Sequence, residues 1–192
     1  MPDWLSAVAQ GLFWVLAMTL TMRWLARGRQ RGAPVAGSGC VQHHAGSLVI
    51  GVICTLFFVG VMVAASIWPD EGVNAWFYAF MAGFVLLGAY LVADWRFARH
   101  TVSDAGMDFG RPTGRRVAFG WAEVGNVRFS KSWNWFRIEL RSGEVVRVSG
   151  MMTGLPEFAA RVLEGLPETR IDGATLAMLR DTANGKLPPV WE

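Results

Sequence analysis

Cysteine and histidine, which are common metal ligands, lie close together at one place in the chain. The residues are Cys40, His43 and His44. A tetrahedral site takes three or four ligands, and adjacent histidines point apart unless the loop bends around the ion. Residues 37–39 read Gly-Ser-Gly, which is typical of a flexible linker. We therefore predict a linker here and no metal.

Catalytic groups are equally sparse. His100 has no serine or cysteine partner that the sequence indicates, although triads can assemble from distant positions. Gly110, Gly114 and Gly120 fall between predicted strands and do not open a helix, as a phosphate-binding loop would. We predict a non-enzymatic protein without a cofactor. A membrane-bound enzyme is an alternative, with three polar candidates that more simply flank a membrane span: Asp94, Arg96 and Arg99.

Aromatic and basic residues alternate in one segment, where Lys131 and Arg137 flank Trp133 and Trp135. If Phe136 faces a core, strand alternation places both tryptophans on the opposite face. Exposed tryptophans can insert at the membrane interface or anchor a protein partner. We therefore expect an exposed patch that contacts a partner or the membrane.

Basic residues are in excess around this patch, since residues 95–149 contain ten Lys or Arg and five Asp or Glu. A face toward anionic lipid is one interpretation, because such lipid attracts nearby basic side chains. An ordinary solvated surface is the other. Further candidate contact residues are Arg115, Arg116 and Arg128. The net charge of only +3 and the membrane tether argue against nucleic acid as a partner.

Charge is distributed unevenly along the 192 residues. Only 17% of the residues are charged, below the roughly one quarter of soluble domains, and only eight of them precede residue 95. Three apolar runs without charge occupy residues 4–22, 46–68 and 74–93. Each is about long enough to cross a hydrocarbon core of roughly 30 Å as a helix. We predict three transmembrane helices.

The first run could instead be a signal peptide. A signal peptide needs positive residues before its apolar stretch and a small-residue cleavage site after it. Here Asp3 precedes the run, and four arginines follow it between residues 23 and 31. We favour an uncleaved anchor.

Positive charge predicts the orientation. The loop between the first two runs holds four arginines and no acid, whereas residues 69–72 read Pro-Asp-Glu-Gly. Positive residues favour the cytoplasmic side. We predict a multi-pass membrane protein with its N-terminus outside and a cytoplasmic C-terminal domain.

Small residues recur four apart on two of the runs, a spacing that lets helix backbones approach closely in lipid. Gly60 and Ala64 share one helix face, and Ala75, Ala79 and Gly83 share another. Because such residues are common in membrane helices, the alternative is no specific packing. Where they do pack, we favour contacts within the hairpin over self-association.

Short β-rich segments begin after residue 95. Gly106 and Gly143 supply the positive φ that tight hairpin turns need. An amphipathic helix follows at about residues 155–165, with Thr153 as its predicted cap, and Asp172 begins a second short helix. Six segments have the alternation of antiparallel strands: 97–103, 106–110, 115–119, 124–130, 135–141 and 144–149.

A family resemblance rests on three features of the C-terminal half of the chain. They are an Asp-x-Gly hairpin at 104–106, a strand opened by Trp-Ala-Glu-Val at 121–124, and a helix started by Gly-Leu-Pro at 154–156. Residues 95–167 thus resemble the bacterial PH-like (pleckstrin-homology-like) domain of small membrane proteins. The resemblance implies a bent barrel of seven strands closed by a helix, one strand more than the sequence indicates. It implies an interaction module on a protein of the bacterial inner membrane, and fixes neither an enzyme nor a ligand.

The predicted fold class is membrane α + β. Three transmembrane helices precede a small PH-like antiparallel β-barrel or sheet closed by an amphipathic helix. The predicted units are, in order, an anchor with a basic flank (1–31), a flexible cytoplasmic linker (32–45), a helical hairpin (46–94), the PH-like domain (95–167), and a short helix with a tail (168–192).

These elements predict a protein that recognises other molecules. We expect the PH-like domain to bind a protein partner in the assembly, stabilisation or regulation of a membrane complex. The partner would be another membrane protein or a second copy of this chain, with membrane lipids around the spans. The alternative is a sensor or binder of anionic lipid at the cytoplasmic face.

Overall fold

The computed structural model describes residues 39–70 and 72–188, together with scattered positions between residues 8 and 23. The first predicted span, its basic flank and the extreme C-terminus therefore lie largely outside the described residues. The scattered positions are helical.

Two long helices form an antiparallel hairpin. Helix α1 is Ala45–Ile67 and helix α2 is Ala75–Phe97. The Asn74 side chain accepts hydrogen bonds from the first backbone amides of α2, which have no partner within the helix. Within the described residues, these are the two helices long and apolar enough to span a membrane, with mean hydropathies of 2.8 and 1.8. The structure thus has candidate membrane helices at two of the three predicted spans.

The hairpin packs through glycines other than the predicted ones. A Cβ atom on Gly88 would lie 2.5 Å from the Thr55 hydroxyl oxygen, and one on Gly51 would lie 2.9 Å from the Gly88 carbonyl oxygen. The two backbones can approach this closely only because both side chains are absent. A Cβ atom on Gly60 or Gly83 would meet nothing within 4 Å. The residues predicted to pack the hairpin are all exposed and lie off its interface: Gly60, Ala64, Ala75, Ala79 and Gly83.

In the described part of the chain, seven strands form two antiparallel sheets. The first sheet has the order β1-β2-β3-β4 and the second has the order β5-β6-β7, so their hydrogen bonding does not join them into one barrel in the described structure. Six strands confirm the predicted segments to within a few residues, and β1 was not predicted. The bounds are β1 Cys40–Val41, β2 His100–Val102, β3 Gly106–Gly110, β4 Arg116–Gly120, β5 Val124–Ser130, β6 Trp135–Leu140 and β7 Val145–Ser149.

Strand β1 comes from the chain before the hairpin, so the hairpin is inserted between the first two strands of the domain. Residues 39–44, which we call the strap, were predicted to be a flexible linker, and that prediction is wrong. The Gly39 carbonyl accepts from the Val102 amide at 2.7 Å, and the Gln42 carbonyl accepts from the Thr153 amide at 2.8 Å. The Val41 side chain is fully buried. The strap is held because its backbone groups find partners inside the domain.

Glycine is required at the start of the strap. Gly39 has φ of +58°, and a Cβ atom there would lie 2.2 Å from the Val102 carbonyl oxygen. An L side chain would therefore meet both backbone strain and a steric clash. The Gly-Ser-Gly sequence at residues 37–39 thus includes a glycine that permits strand pairing.

Two short helices cover the sheets. Helix α3 is Leu155–Gly165 and helix α4 is Gly173–Ala183. Asp172 accepts from the Thr175 amide at 3.3 Å, which confirms it as the cap of α4. Thr153 does not cap α3, because Gly154 takes that position in a left-handed conformation with φ of +82°. The Thr153 hydroxyl instead donates to the Gln42 carbonyl at 3.0 Å.

The core lies between the sheets and α3. Alternate residues of β6 are buried. The ring centroid of Phe136 lies 4.8 Å from that of Phe129 and 5.4 Å from that of Phe158. Trp121 is only 5% exposed and belongs to the same core. Burial of these large side chains supplies most of the stabilisation of a domain this small.

Candidate functional site

A cleft of about 910 Å³ opens where α2 meets the second sheet. The last two turns of α2 form one side with Tyr90 and Asp94. The outer face of β7 and the β3–β4 loop form the others, and Trp133 and Trp135 lie along the rim. Ligand sites have volumes of roughly 300–1,000 Å³, so this cleft could hold a small molecule or a lipid headgroup.

The two rim tryptophans stack on each other. Their ring centroids lie 5.3 Å apart with an interplanar angle of 6°. Trp133 is 70% exposed, whereas Trp135 is partly buried. Asn134 between them has φ of +49°, and its carbonyl accepts from the Gly150 amide at 2.7 Å, which fixes the β5–β6 turn. Both rings therefore lie on the same side of the strand, and their role as a contact patch stays a prediction.

The predicted basic residues fall into two groups. The bidentate ion pair of Arg116 with Asp108 has a shortest distance of 2.7 Å and lies on the first sheet, away from the cleft. Arg128 and Arg137 both contact Glu139, at 3.1 Å and 3.0 Å. The charges of these three arginines are thus partly offset by carboxylates.

Two arginines that line the cleft have no such partner. Arg115 and Arg147 form no ion pair with any described residue, although the Arg147 guanidinium lies 5.5 Å from the centroid of the Trp135 ring. Arg111 also lines the cleft, but Glu144 binds it at 2.7 Å. Lys131 is exposed at the nearby turn and does not line the cleft. Of the predicted contact residues, the structure thus brings together Arg115 and the two tryptophans.

His100 lies deep in this region and is fully buried. Its ring stacks on that of Phe109 at 4.3 Å, and its Nδ1 accepts from the Gly110 amide at 3.2 Å. Burial lowers the pKa of His100 to about 3, and nearby His43 contributes to the shift. The ring is therefore neutral at pH 7 and carries its proton on Nε2, which has no hydrogen-bond partner among the described residues.

A second histidine joins the strap to the hairpin. His43 Nε2 lies 2.8 Å from a carboxylate oxygen of Asp94, near the end of α2. The next residue, His44, accepts from the Gly46 amide through Nδ1 at 2.9 Å and caps α1. Both histidines therefore have structural contacts with the hairpin.

A family model for the bacterial PH domain matches residues 98–169. The chain contains a bacterial PH domain. This confirms the resemblance and nearly reproduces the predicted bounds of 95–167. The match begins after the hairpin, so β1 and both long helices lie outside it. No curated protein and no solved structure matches the chain significantly.

Sequence reasoning missed the main parts of the cleft. Asp94 was interpreted as a flank of the membrane span, and Arg147 was counted only as one of the ten basic residues between 95 and 149. The available signal was the recurrence of arginine at positions 128, 137 and 147 of three predicted strands, but the register that places these residues opposite one another comes only from the structure.

The cleft is suited to binding more clearly than to catalysis. Its guanidinium groups can bind anions, and its aromatic rings supply apolar surface. In the described part of the chain, no group of three or more His, Cys, Asp or Glu is placed to hold a metal ion. The absence of a cofactor and of enzymatic activity remain predictions.

Proposed function

We propose that the protein is a non-enzymatic component of the bacterial inner membrane whose PH domain binds an anionic lipid at the cytoplasmic face. The observation that carries this proposal is the pair Arg115 and Arg147, which line the cleft without an acidic partner among the described residues. Arginine binds phosphate groups through two parallel hydrogen bonds, so it suits a phospholipid headgroup.

The position of the cleft supports lipid as the ligand. Helix α2 has the length and hydropathy of a membrane span, and Asp94 from its last turn lines the cleft. The cleft then opens at the depth of the headgroups. Aromatic rings such as that of Trp133 favour this depth, because they combine an apolar body with a polar group. A bound lipid could thus reach the cleft without leaving the bilayer.

Native mass spectrometry of the protein, released gently from its own membrane, tests the proposal. We expect the protein to retain an anionic phospholipid. Replacing both Arg115 and Arg147 by alanine should remove most of this lipid. Arg141→Ala is the matched control, because Arg141 is exposed at the β6–β7 turn and does not line the cleft. Equal retention of neutral and anionic lipid would contradict the proposal.

A protein partner is the second candidate, and the exposure of Trp133 favours it. A rigid turn holds this ring, and tryptophan is enriched among the residues that dominate protein interfaces. The domain would then serve the assembly, stabilisation or regulation of a membrane complex. Trp133→Ala should reduce recovery of a stoichiometric partner in the same spectra. Trp76→Ala, which removes an 84% exposed ring near the start of α2, is the control.

A further inference from the structure

Strand β4 forms an open edge of the first sheet. Two other sheet edges are covered from within the domain. The strap continues past β1 to Gln42, whose carbonyl accepts from the Thr153 amide, and the Asp172 amide beyond α3 donates to Val127 of β5 at 3.1 Å. The edge at β7 borders the cleft. Strand β4 is thus the edge that the described part of the chain leaves uncovered.

The backbone groups of β4 point alternately toward β3 and away from it. The Trp121 amide donates to the Ala105 carbonyl at 3.4 Å, and the register is continuous from there along β4. The bonds to β3 therefore fall on the odd-numbered residues of β4. The amides and carbonyls of Arg116 and Ala118 point outward, and they have no hydrogen-bond partner among the described residues.

This edge lacks the usual protection against pairing. Exposed edges are commonly blunted by charges, proline or β-bulges. Strand β4 pairs with β3 without a bulge, and Asp108 binds the guanidinium of Arg116 through both carboxylate oxygens. Ala118 is exposed and small. An incoming strand would therefore meet neither an uncompensated charge nor a steric barrier on β4.

A shallow groove lies beside the edge, on the outer face of the first sheet. Its volume is about 590 Å³, and its lining includes Ala118 and Gly120. It also includes two carboxylates, and Arg116 offsets that of Asp108. The other belongs to Glu123, which accepts from the Gly120 amide at 2.8 Å and forms no ion pair with a described residue. A basic side chain opposite Gly120 would lie close to this carboxylate.

The direction of β4 argues against a second copy of the chain as the partner. A Cβ atom on Gly114, in the β3–β4 loop, would lie 3.9 Å from the Phe97 ring at the end of α2. Strand β4 therefore begins beside the hairpin and runs away from it, as does β2, which follows α2. An antiparallel β4 from a second copy would run toward this hairpin, and its own hairpin would point the opposite way. Two copies in one membrane cannot adopt that arrangement.

We propose that β4 binds an extended segment of another protein, which adds an antiparallel strand to the first sheet and places a lysine or arginine opposite Gly120. Main-chain hydrogen bonds to Arg116 and Ala118 supply the affinity, and Glu123 selects the basic side chain. No residue of β4 lines the cleft. The inference therefore goes beyond the proposed lipid binding and does not depend on it.

The test uses the full-length protein in detergent and short peptides of alternating threonine and valine. One peptide has a lysine near its N-terminus, which antiparallel pairing places opposite Gly120, and the other has a glutamate there. The lysine peptide should slow hydrogen exchange at the Ala118 amide. It should not change exchange at the Phe119 amide, which is already bonded to β3. The glutamate peptide should bind about threefold more weakly, the usual effect of one exposed charge pair.

Two substitutions of Ala118 form a matched pair. Ala118→Pro removes the outward amide, at an edge position where a sheet tolerates proline, and should weaken peptide binding about tenfold. Ala118→Val keeps the amide and should change the affinity less than about twofold. Slow exchange at Phe119 in both variants verifies that the first sheet is intact. Glu123→Gln keeps an acceptor for the Gly120 amide but removes the charge, so it should abolish the preference for the lysine peptide.

Several results would overturn the proposal. They are unchanged exchange at Ala118 with the lysine peptide, equal slowing at Ala118 and Phe119, and equal loss of binding in Ala118→Pro and Ala118→Val. Exchange at Ala118 that slows with the concentration of the protein alone would indicate pairing between copies, and the choice of partner would be wrong. Replacing Arg115 and Arg147 by alanine should remove the lipid without affecting the peptide, so each proposal can fail independently of the other.

Discussion

The hairpin and the PH domain hold themselves together in opposite ways. The PH domain buries large side chains, such as Phe136 and Phe158, at 0% exposure. The hairpin instead brings its two backbones into contact at Gly51 and Gly88, which have no side chains. It leaves large side chains such as that of Phe57 exposed at 61%. Water drives apolar side chains into the domain core, whereas lipid, the environment that the hydropathy of the hairpin favours, provides no such driving force between helices.

The difference predicts which substitutions are costly in each region. In the PH domain, loss of volume should be costly, because a cavity remains. In the hairpin, gain of volume should be costly, because the backbones are already in contact. The same substitution type can therefore be tested in both regions.

Phe136→Ala should have the largest effect. It removes a fully buried ring that contacts Phe129 and Phe158, and should lower the free energy of unfolding of the PH domain by about 3–5 kcal/mol. Denaturant unfolding of the full-length protein, followed by tryptophan fluorescence, measures the change. Phe57→Ala removes the same ring from an exposed position on α1 and should leave this transition unchanged. A similar loss in both variants would contradict the contrast.

Gly88→Leu should have the next largest effect, in the hairpin. The new side chain would begin 2.5 Å from the Thr55 hydroxyl, and overpacking of this kind typically costs about 1–3 kcal/mol. Spin labels near the ends of α1 and α2 would report the separation of the helices by an increased distance. Gly83→Leu is the matched control, because a Cβ atom at that position would meet nothing within 4 Å. Separation of the helices in the control alone would place the interface at the faces predicted from sequence.

Much of the PH domain could be predicted because its signals are local. The strands at residues 106–110 and 124–130 agree with prediction at both ends, since turns and alternating burial mark them. Strand β1 has two residues and no alternation, and its partner lies across the whole hairpin. Nothing local distinguishes it from a linker. The seventh strand was expected from the resemblance, but its place before the hairpin was not.

The site was harder to predict than the fold because it depends on pairing. Arg116 and Arg147 are both arginines on β-strands, and sequence does not tell which one has an acidic partner. Asp108 lies across the β3–β4 pair from Arg116, whereas Arg147 faces Arg137. His100 was judged by the catalytic partners it lacks, and its burial beneath the cleft comes from the tertiary structure alone.

The pH dependence of stability tests the junction between the two regions, where His100 lies. In the folded protein its pKa is about 3, compared with about 6.5 in the unfolded chain. Below pH 6.5 the unfolded chain therefore binds more protons, so acid destabilises the fold. Between about pH 6 and pH 4 this one group should lower the free energy of unfolding by up to about 1.4 kcal/mol per pH unit.

Urea unfolding at several pH values measures this slope. Carboxylates contribute to it as well, so the comparison is with His100→Asn, in which the contribution of the histidine is lost. The variant should have a shallower slope over the same range. An unchanged slope would mean that His100 can be protonated in the folded protein, and hence that it is not sealed from water.

The smallest expected effect concerns the strap, which joins the two regions. Thr153→Val removes the hydroxyl that donates to the Gln42 carbonyl at 3.0 Å, but keeps the backbone bond between the same residues. The cost should be about 1 kcal/mol, the usual net value of one hydrogen bond. Thr113→Val, in the exposed β3–β4 loop, is the control.

Hydrogen exchange should quicken at the Val102 amide, which donates to Gly39, because loss of the Gln42 contact loosens the whole strap. If exchange quickens only at Thr153, the strap is not a cooperative unit, and the hairpin and PH domain are joined less firmly than the strand pairing indicates.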